Sequence, residues 1–449
     1  TGVPSETIRR IAREYATSKP AQLIQGLGPQ RHATGEQSVR AGITLACITG
    51  NLGKPGGGWG GGEGARRLSL PIEGIPTGEN RVAAAIPVFL WTDAVLRGTQ
   101  MTSADGVTGG PLRSNIKFIF NLASNTLLNQ HADINRTKAI LSDESLCDFI
   151  VVSDHFLTPS ARFADVVLPG DHSFERNDLG LPWSGERYFI FGNKVLEPPP
   201  ECKNEYWWLS QVAEHLGVGE QFTEGKSYDQ WLEQILKNAH SRDPRIPSFG
   251  EMRDLGLFRE DPEEYTAFAR EIEDPGGHPF PTPSGKIEIF SSRLYERGDS
   301  ASPAIPKYVA APEGPDDITA TFPLQCIGPH TRKRTHSIFD GNEWLEEADP
   351  HRMSMNPDDA RARKLHDGDW VKVFNSRGAL YIRVSVTNRI RPGVISIPEG
   401  GWYTPDEEGN CRRGSINVLT SQRSSPLAHG SAQHTLRVDV VKARRPRND

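Results

Sequence analysis

Among its 449 residues this chain carries five cysteines, Cys47, Cys147, Cys202, Cys326 and Cys411, with no Cys-x-x-Cys pair. That spacing excludes a compact zinc or iron–sulfur motif built within the chain, and buried free thiols are the expected state. No apolar run approaches the roughly 18 residues of a membrane span. The phosphate-loop pattern Gly-x4-Gly-Lys-Ser/Thr is missing, as is the Gly-x-Ser-x-Gly of a nucleophile elbow. No Ser-His-Asp or Cys-His set can be assigned by spacing. Positive charge is not in excess: the formal net charge is −6, which argues against a nucleic-acid binder driven by bulk charge. There is also no initiator Met, and any targeting segment is expected to lie upstream. The chain opens at Thr1 directly on a helix signal, with Pro4 in the first turn and Ile8, Ile11, Ala12 and Tyr15 as its apolar face. It reads as a chain that starts mid-protein.

What is present is a globular composition. Hydrophobic residues make up 36%, and 44 glycines with 34 prolines point to many loops, where binding sites concentrate. The length calls for two or three domains. Short apolar runs at 21–24, 116–120, 149–152 and 165–168 alternate with helical stretches, the pattern of a mostly parallel, layered α/β region. Residues 201–300 look mixed. Trp207, Leu209, Val212 and Leu216 suggest one helix, and Tyr228, Trp231, Leu232 and Ile235 another; a proline-rich turn at 279–284 leads into an expected strand ending at Phe290. Residues 53–64 form a glycine-rich loop, and a Pro- and Ala-rich linker, about 300–322, marks the best boundary, so that domains are expected at 1–310 and 311–449. Beyond it the period changes to two. Trp370-Val-Lys-Val-Phe374, a turn at 375–378, and alternating Leu380, Ile382, Val384 and Val386 make a hairpin. With 394–397 and 436–440 they suggest a small closed β-barrel.

Four constellations carry chemistry. The first is Gly26-Leu-Gly-Pro-Gln-Arg-His32 with Thr34-Gly-Glu-Gln37, in which an apolar run feeds a Gly-rich turn and a helix start. Such a start offers amide N–H groups and a positive dipole end to an anion. Thr34 and Gln37 form a capping-box pair, and Arg31 and His32 stand where a phosphate would meet them. A plain surface loop is the competing reading. The second is Ser153-Asp154-His155, closing the run Phe149-Ile-Val-Val. A carboxylate at the carboxyl end of a parallel strand can accept paired N–H donors from a guanine edge or a ribose diol. Helix N-capping by Asp154 explains it equally well. The third is Gly328-Pro-His-Thr-Arg-Lys-Arg-Thr-His-Ser337, in which the forks of Arg332 and Arg334 suit a pyrophosphate. A solvated charge run and a local nucleic-acid patch are the alternatives. Metal ligation by His330 and His336 is disfavoured, because no carboxylate or third His lies at suitable spacing. The fourth, Asn417-Val-Leu-Thr420 with Gln433-His434, says little by itself.

Taken in order, these blocks resemble the carboxyl-terminal portion of the molybdopterin oxidoreductases of the dimethyl sulfoxide reductase family. The resemblance rests on Gly28-Pro-Gln-Arg-His32, Gly35-Glu-Gln37, Thr49-Gly-Asn-Leu-Gly53, Ser153-Asp154, Ala164-Asp-Val-Val-Leu-Pro169, Thr282-Pro-Ser-Gly-Lys-Ile-Glu288, Gly328-Pro-His-Thr331, Thr335-His-Ser337, His366-Asp-Gly-Asp369 and Asn417-Val-Leu-Thr420. It covers nearly the whole chain. The implied cofactor is molybdenum bis(molybdopterin guanine dinucleotide), and the β region becomes a double-psi-type barrel closing over two pterins. By position, Gly28, Pro29, Gln30, Arg31 and His32 line a pterin near the metal. Arg40 resembles an arginine placed beside the metal in the family's formate dehydrogenases. Asn125 belongs to a cofactor loop, and Ser153 and Asp154 look like the guanine-binding pair. His330, Thr331, His336 and Ser337 line the other pterin, with Asn417, Gln433 and His434 as barrel contacts. No metal ligand is expected in this chain: the family's metal-ligating residue and its four-cysteine [4Fe-4S] motif would lie upstream, so the chain alone is expected to be inactive. Pro-Gln-Arg-His with Gly-Glu-Gln resembles the anaerobic dimethyl sulfoxide reductase A-subunit branch more than the formate dehydrogenase branch. That implies reduction of S-oxides or N-oxides by oxygen-atom transfer, an iron–sulfur electron-transfer subunit, a membrane anchor subunit, and a periplasmic or membrane-peripheral setting. Formate, polysulfide, nitrate or hydroxylated-aromatic chemistry, or a non-catalytic cofactor-binding fragment, are the alternatives.

Overall fold

Four separate β systems and a set of short helices make up the computed structural model, which describes residues 1–60, 70–182, 187–261, 264–317 and 321–446. Helix α1 (Ser5–Thr17) precedes β1 (Gln22–Ile24), and α2 (Glu36–Ile48) leads to β2 (Gly58–Gly60). Strands β1 and β2 pair in parallel as a two-stranded sheet of their own. The expected strand at 21–24 therefore forms but does not join the other parallel strands. The apolar face expected for α1 is likewise not a core face: Ile8 and Ile11 are 49% and 52% exposed. Residues 61–64 of the glycine-rich loop and 318–320 of the linker lie outside the described residues.

The central parallel sheet consists of β3 (Phe118–Leu122), β4 (Phe149–Asp154) and β5 (Val166–Pro169), with β4 in the middle. Alternation along β4 buries Ile150 and Val152 against α3 (Trp91–Arg97) and α4 (Ile134–Leu141), while Phe149 stands on the other face. Asp133 caps α4, its side chain accepting the Arg136 amide. Next comes the antiparallel sheet β6 (Asp178–Gly180), β7 (Tyr188–Gly192) and β8 (Leu257–Arg259), which packs Phe189 and Phe191 on helices Tyr228–Arg242 and Phe249–Leu255. Helices Glu205–His215 and Tyr228–Arg242 fall where the sequence places them. The strand expected to end at Phe290 does not form. Its residues close a local turn, in which Thr282 Oγ1 donates to the Lys286 carbonyl and the Ser284 amide to Glu288.

Strands β9 (Leu324–Ile327), β10 (Arg352–Met355), β11 (Trp370–Asn375), β12 (Gly378–Val386), β13 (Val394–Ser396) and β14 (Leu436–Lys442) close a six-stranded barrel in the order β10-β12-β11-β14-β9-β13. Two of its pairs are parallel, β10 with β12 and β9 with β13, and the other four are antiparallel. That mixture requires crossing connections and is the double-psi type expected. Closure removes free edges and gathers Val371, Val373, Leu380, Ile382, Ile395 and Val438 into one core. Leu128 and Ile134 enter the same core from the α/β region. Arg377, just past β11, grips Glu313 of the linker with both nitrogens at 2.7 Å. All five cysteines are free thiols; Cys147, Cys326 and Cys411 are buried as expected, while Cys47 and Cys202 are only partly buried. Among the described residues no helix is long and apolar enough to cross a membrane.

Candidate functional site

Three loops that are hundreds of residues apart in sequence meet between α2 and the barrel. Pro29–Arg31 is a single 3₁₀ turn, and it seats directly on the start of α2: a Cβ on Gly35 would lie 1.7 Å from the Pro29 carbonyl oxygen. The segment before β14 closes on this turn. The His434 amide donates to the Arg31 carbonyl at 3.0 Å, and Thr435 Oγ1 accepts the Ala33 amide at 3.0 Å. The His32 and His434 rings lie 5.4 Å apart. From the other side the Gly328 amide donates to His434 Nδ1 at 3.3 Å. A cavity of about 670 Å³ opens beside this junction, lined by Gly28, Pro29, His32, Gln37, Tyr308 and Thr435 among others. Gln30 continues the same turn, and Gln433 sits half-buried next to His434.

The electrostatics of the cleft favour neutral imidazoles. Burial, reinforced by the nearby positive groups of His32, Arg31 and His330, pushes His434 down to about 4. Burial also lowers His32. Because Nδ1 of His434 accepts an amide proton, its own ring proton must sit on Nε2. Glu36, in the first turn of α2, accepts the Leu427 and Ala428 amides at 2.9 and 2.8 Å and the Ser425 hydroxyl at 2.6 Å.

Several expectations change here. The capping box of Thr34 and Gln37 is not made. Gly35 occupies the N-cap, and Thr34 Oγ1 donates instead to the Val309 carbonyl at 2.8 Å, a tertiary partner that outcompetes the local one. The amides of Gln37, Ser38 and Val39 bond to the carbonyls of Thr34 and Gly35, so they are not free to cradle an anion. The pyrophosphate reading of 328–337 also fails at Arg334. Its guanidinium is 4% exposed, pairs with Asp340, and meets His351 Nδ1 at 2.8 Å. Lys333 is buried against Glu346. Thr331 Oγ1 accepts the Arg334 amide, and buried Ser337 gives its carbonyl to Trp402 Nε1 at 2.8 Å. His330 and His336 remain exposed to the cleft side, and both turn Nδ1 toward Glu399. Arg40 donates to the carbonyls of Pro303 and Ala304 at 2.8 and 2.9 Å and to Gln37, tying α2 to the linker segment.

A second pole of the site lies at the carboxyl edge of the parallel sheet. Ser153, the next-to-last residue of β4 and opposite Leu122 of β3, is fully buried, yet its hydroxyl has no partner among the described residues. Asn125, 5% exposed, accepts the Ser160 amide and hydroxyl at 3.2 and 2.9 Å through Oδ1, while its Nδ2 donor is unmatched. Buried polar atoms left without a partner cost stability and are rare in native proteins, which marks this edge as a place for a polar ligand. Asp154 is half-buried; its side chain accepts the neighbouring His155 amide at 2.7 Å, its carbonyl accepts the Gly170 amide at 3.1 Å, and it caps no helix among the described residues. Asn125 leads into a π-helical turn, Thr126–Gln130, an uncommon geometry that recurs at functional sites. That turn bridges the two poles. Thr126, Gln130 and Arg31 line one cavity of about 430 Å³. Asn417 Nδ2 reaches from the barrel to the Asn129 carbonyl at 2.8 Å.

Sequence reasoning did not find Glu399, Thr435, Glu36 or the π turn. Only Glu399 had a local signal, a carboxylate ahead of Gly400-Gly401 just past a strand.

A parallel α/β sheet in one chain with a closed double-psi-type barrel defines the class of fold. Residues 8–215 match the molybdopterin oxidoreductase family model, and residues 324–437 match the Molydopterin dinucleotide binding domain. The chain is 43% identical to the dimethyl sulfoxide reductase DmsA of Haemophilus influenzae over 98% of its own length and 56% of that protein's. The corresponding Escherichia coli K12 protein gives the same figures. The trimethylamine-N-oxide reductase of H. influenzae is 31% identical, over 98% of this chain and 57% of the relative. Acetylene hydratase from Pelobacter acetylenicus shares the fold, with a TM-score of 0.71, 21% identity, and coverage of 99% of this chain and 64% of that one. The chain belongs to the molybdopterin oxidoreductases of the dimethyl sulfoxide reductase family. It spans a little over half the length of the curated relatives it matches.

Proposed function

We propose that this chain supplies the cofactor-holding α/β region (1–310) and the closing barrel (311–449) of a catalytic subunit that reduces S-oxides or N-oxides by oxygen-atom transfer. The cofactor is molybdenum bis(molybdopterin guanine dinucleotide). The observation that supports the reading most is the pair of buried, unmatched polar atoms, Ser153 Oγ and Asn125 Nδ2, at one sheet edge. Such a pair suits the polar rim of a guanine dinucleotide, and Asp154 beside it can accept two parallel N–H donors.

When bound, the group would supply the two-electron oxygen-atom transfer. This chain's own residues would bind and orient it. Residues 28–32 and His434 line one wall of the cleft, and Gln433 and Asn417 extend the barrel side. His330, Thr331, His336 and Ser337 would contribute the other side of the cofactor's surroundings. With Nδ1 of both His330 and His336 turned to Glu399, each ring keeps Nε2 for the ligand. His434 stays neutral above about pH 4 and donates from Nε2, offering a hydrogen bond without adding positive charge. Arg40 positions α2 through the linker carbonyls, and a role beside the metal is part of the same proposal. Electrons would come through an iron–sulfur subunit with a membrane anchor, and a [4Fe-4S] cluster would sit in residues outside this sequence.

The test is metal and guanine-nucleotide analysis of the protein from an anaerobically grown source, with intact mass and reduced-viologen oxidation by dimethyl sulfoxide and trimethylamine N-oxide. About one molybdenum and two guanine nucleotides per molecule, with turnover of either oxide, supports the reading; Ser153→Ala should then lower nucleotide content. A protein of 49.6 kDa with neither metal nor nucleotide would leave a non-catalytic fragment. Turnover of formate or nitrate alone would move the substrate class.

A further inference from the structure

We propose that His330, His336 and Glu399 form a binding site for a divalent cation of the zinc type in the cofactor-free chain. The two histidines come from the loop after β9. The carboxylate comes from the loop after β13, more than sixty residues later, and is the ligand that sequence spacing could not supply. Glu399 Oε1 lies 2.9 Å from His330 Nδ1 and 3.0 Å from His336 Nδ1, and all three donor atoms fall within 4.8 Å of one another. Zinc holds His nitrogen at about 2.0–2.1 Å and carboxylate oxygen at about 2.0–2.2 Å. Ligand atoms of a tetrahedral ion with those bond lengths lie about 3.3–3.5 Å apart, so the hydrogen-bonded spacing needs to open by only about half an ångström to seat an ion. Two imidazoles and one carboxylate, with a fourth position open, is a known zinc set; it also suits cobalt and nickel, but not calcium or magnesium, which favour all-oxygen shells.

The constellation is built by the backbone as well as by its own side chains. Strands β9 and β13 run parallel, so both loops leave the barrel at the same end. Their ladder continues past the strands: the Ile397 amide donates to the Ile327 carbonyl at 3.0 Å, and the Glu399 amide to the Pro329 carbonyl at 3.0 Å. That second bond sets Glu399 beside His330. His336 is placed by a close approach. Gly400 has φ +89°, and a Cβ there would lie 1.8 Å from the His336 carbonyl oxygen. The Trp402 indole pins the next residue by donating to the Ser337 carbonyl. The two imidazole rings meet edge to face at 5.0 Å. The Glu399 side chain is mostly buried while both rings remain accessible, which gives an ion a route in.

In the absence of an ion, each Nδ1–H donates to the shared carboxylate oxygen. Binding displaces both protons from Nδ1, and a ring whose proton sits on Nε2 presents Nδ1 to the ion. The pterin reading assigns His330 and His336 to the cofactor, so on that reading ion and cofactor exclude one another. The ion site itself does not depend on it.

The experiment is a Co(II) titration of the full cofactor-free chain, followed by its visible d–d absorption, with Zn(II), Mg(II) and Ca(II) as competitors. One Co(II) per chain, with the intense bands of a four- or five-coordinate ion, displaced by Zn(II) and not by Mg(II) or Ca(II), is expected. Glu399→Gln and His336→Ala should each weaken Co(II) binding by about 10-fold or more, the scale on which even outer-sphere partners change metal affinity. Circular dichroism checks that both variants fold, and His330→Asn, at an exposed position, serves if either does not. Weak six-coordinate bands, or affinity unchanged in a folded Glu399→Gln, would overturn the site and leave a hydrogen-bonded triad. Neither outcome alters the nucleotide analysis above, so failure of this site and failure of the cofactor reading are distinguishable.

Discussion

Val371, Leu380 and Ile395 are fully buried at the centre of a barrel whose strands leave no open edge. Ile8, Ile11, Phe118 and Phe149 are equally apolar, yet they stand well exposed on the α/β region. Closing a sheet on itself satisfies edge hydrogen bonds and fills the interior in one step. An open parallel sheet needs cover on both faces. Here α3 and α4 cover one face of β3–β5, while Phe118 and Phe149 stack at 6.1 Å on the other. Fully buried apolar packing is concentrated in the barrel. The α/β region contributes the sheet edge with Ser153 and Asn125 and several well-exposed apolar side chains.

The largest effect is expected where the barrel's buried charge is broken. Asp340→Ala would leave Arg334 buried without its carboxylate, at a cost of about 3–5 kcal/mol in urea unfolding of the chain. A loss below about 1 kcal/mol would show that the pair behaves as a solvated one. Next, Leu380→Ala should cost about 2–5 kcal/mol by opening a cavity in the barrel. The α/β region should respond more weakly to a pH change. His131 lies between the Phe89 and Trp91 rings, each 5.0 Å away, and burial holds it at about 4. Its folded value is depressed, so its contribution is complete above the ordinary 6.5 and is lost as pH falls toward 4. Stability should fall by up to about 1.4 kcal/mol per pH unit in that window, and His131→Gln should flatten the urea midpoint against pH. Smallest of all, Ile8→Ala should change stability by no more than about 0.5 kcal/mol. If it matched Leu380→Ala, the contrast between the two regions would be wrong.

Sequence pattern located what local pattern encodes. The strict alternation from Leu380 to Val386 became β12, and the apolar runs near 118, 149 and 166 became the parallel sheet, each shifted by no more than about two residues, as boundaries usually are. Strands β9 and β10 were not predicted as strands: each has four residues, and Arg-Met-Ser-Met has no β-branched residue to announce it. Lys286 to Phe290 has the composition of a strand but no neighbour to pair with. Thr34 has the spacing of a cap, but Val309, 275 residues away, offered its hydroxyl a better acceptor. The family's motif residues were legible by position. The contacts that organise them were not, because Glu399 with His330 and Thr435 with Ala33 are produced by the closure of the barrel.

The stitching of the cleft also sets an order in time. The turn at Pro29–Arg31 is completed by the amide of His434 and the hydroxyl of Thr435, and α2 is anchored through Glu36 to the loop at 425–428. On the ribosome the first of these partners is made some four hundred residues before the second. Until β14 has been synthesised and has zipped into the barrel, the early loop has nothing to close against. Any ligand that needs both walls must therefore wait for the carboxyl-terminal strand, and loading belongs after translation by the topology of the chain alone.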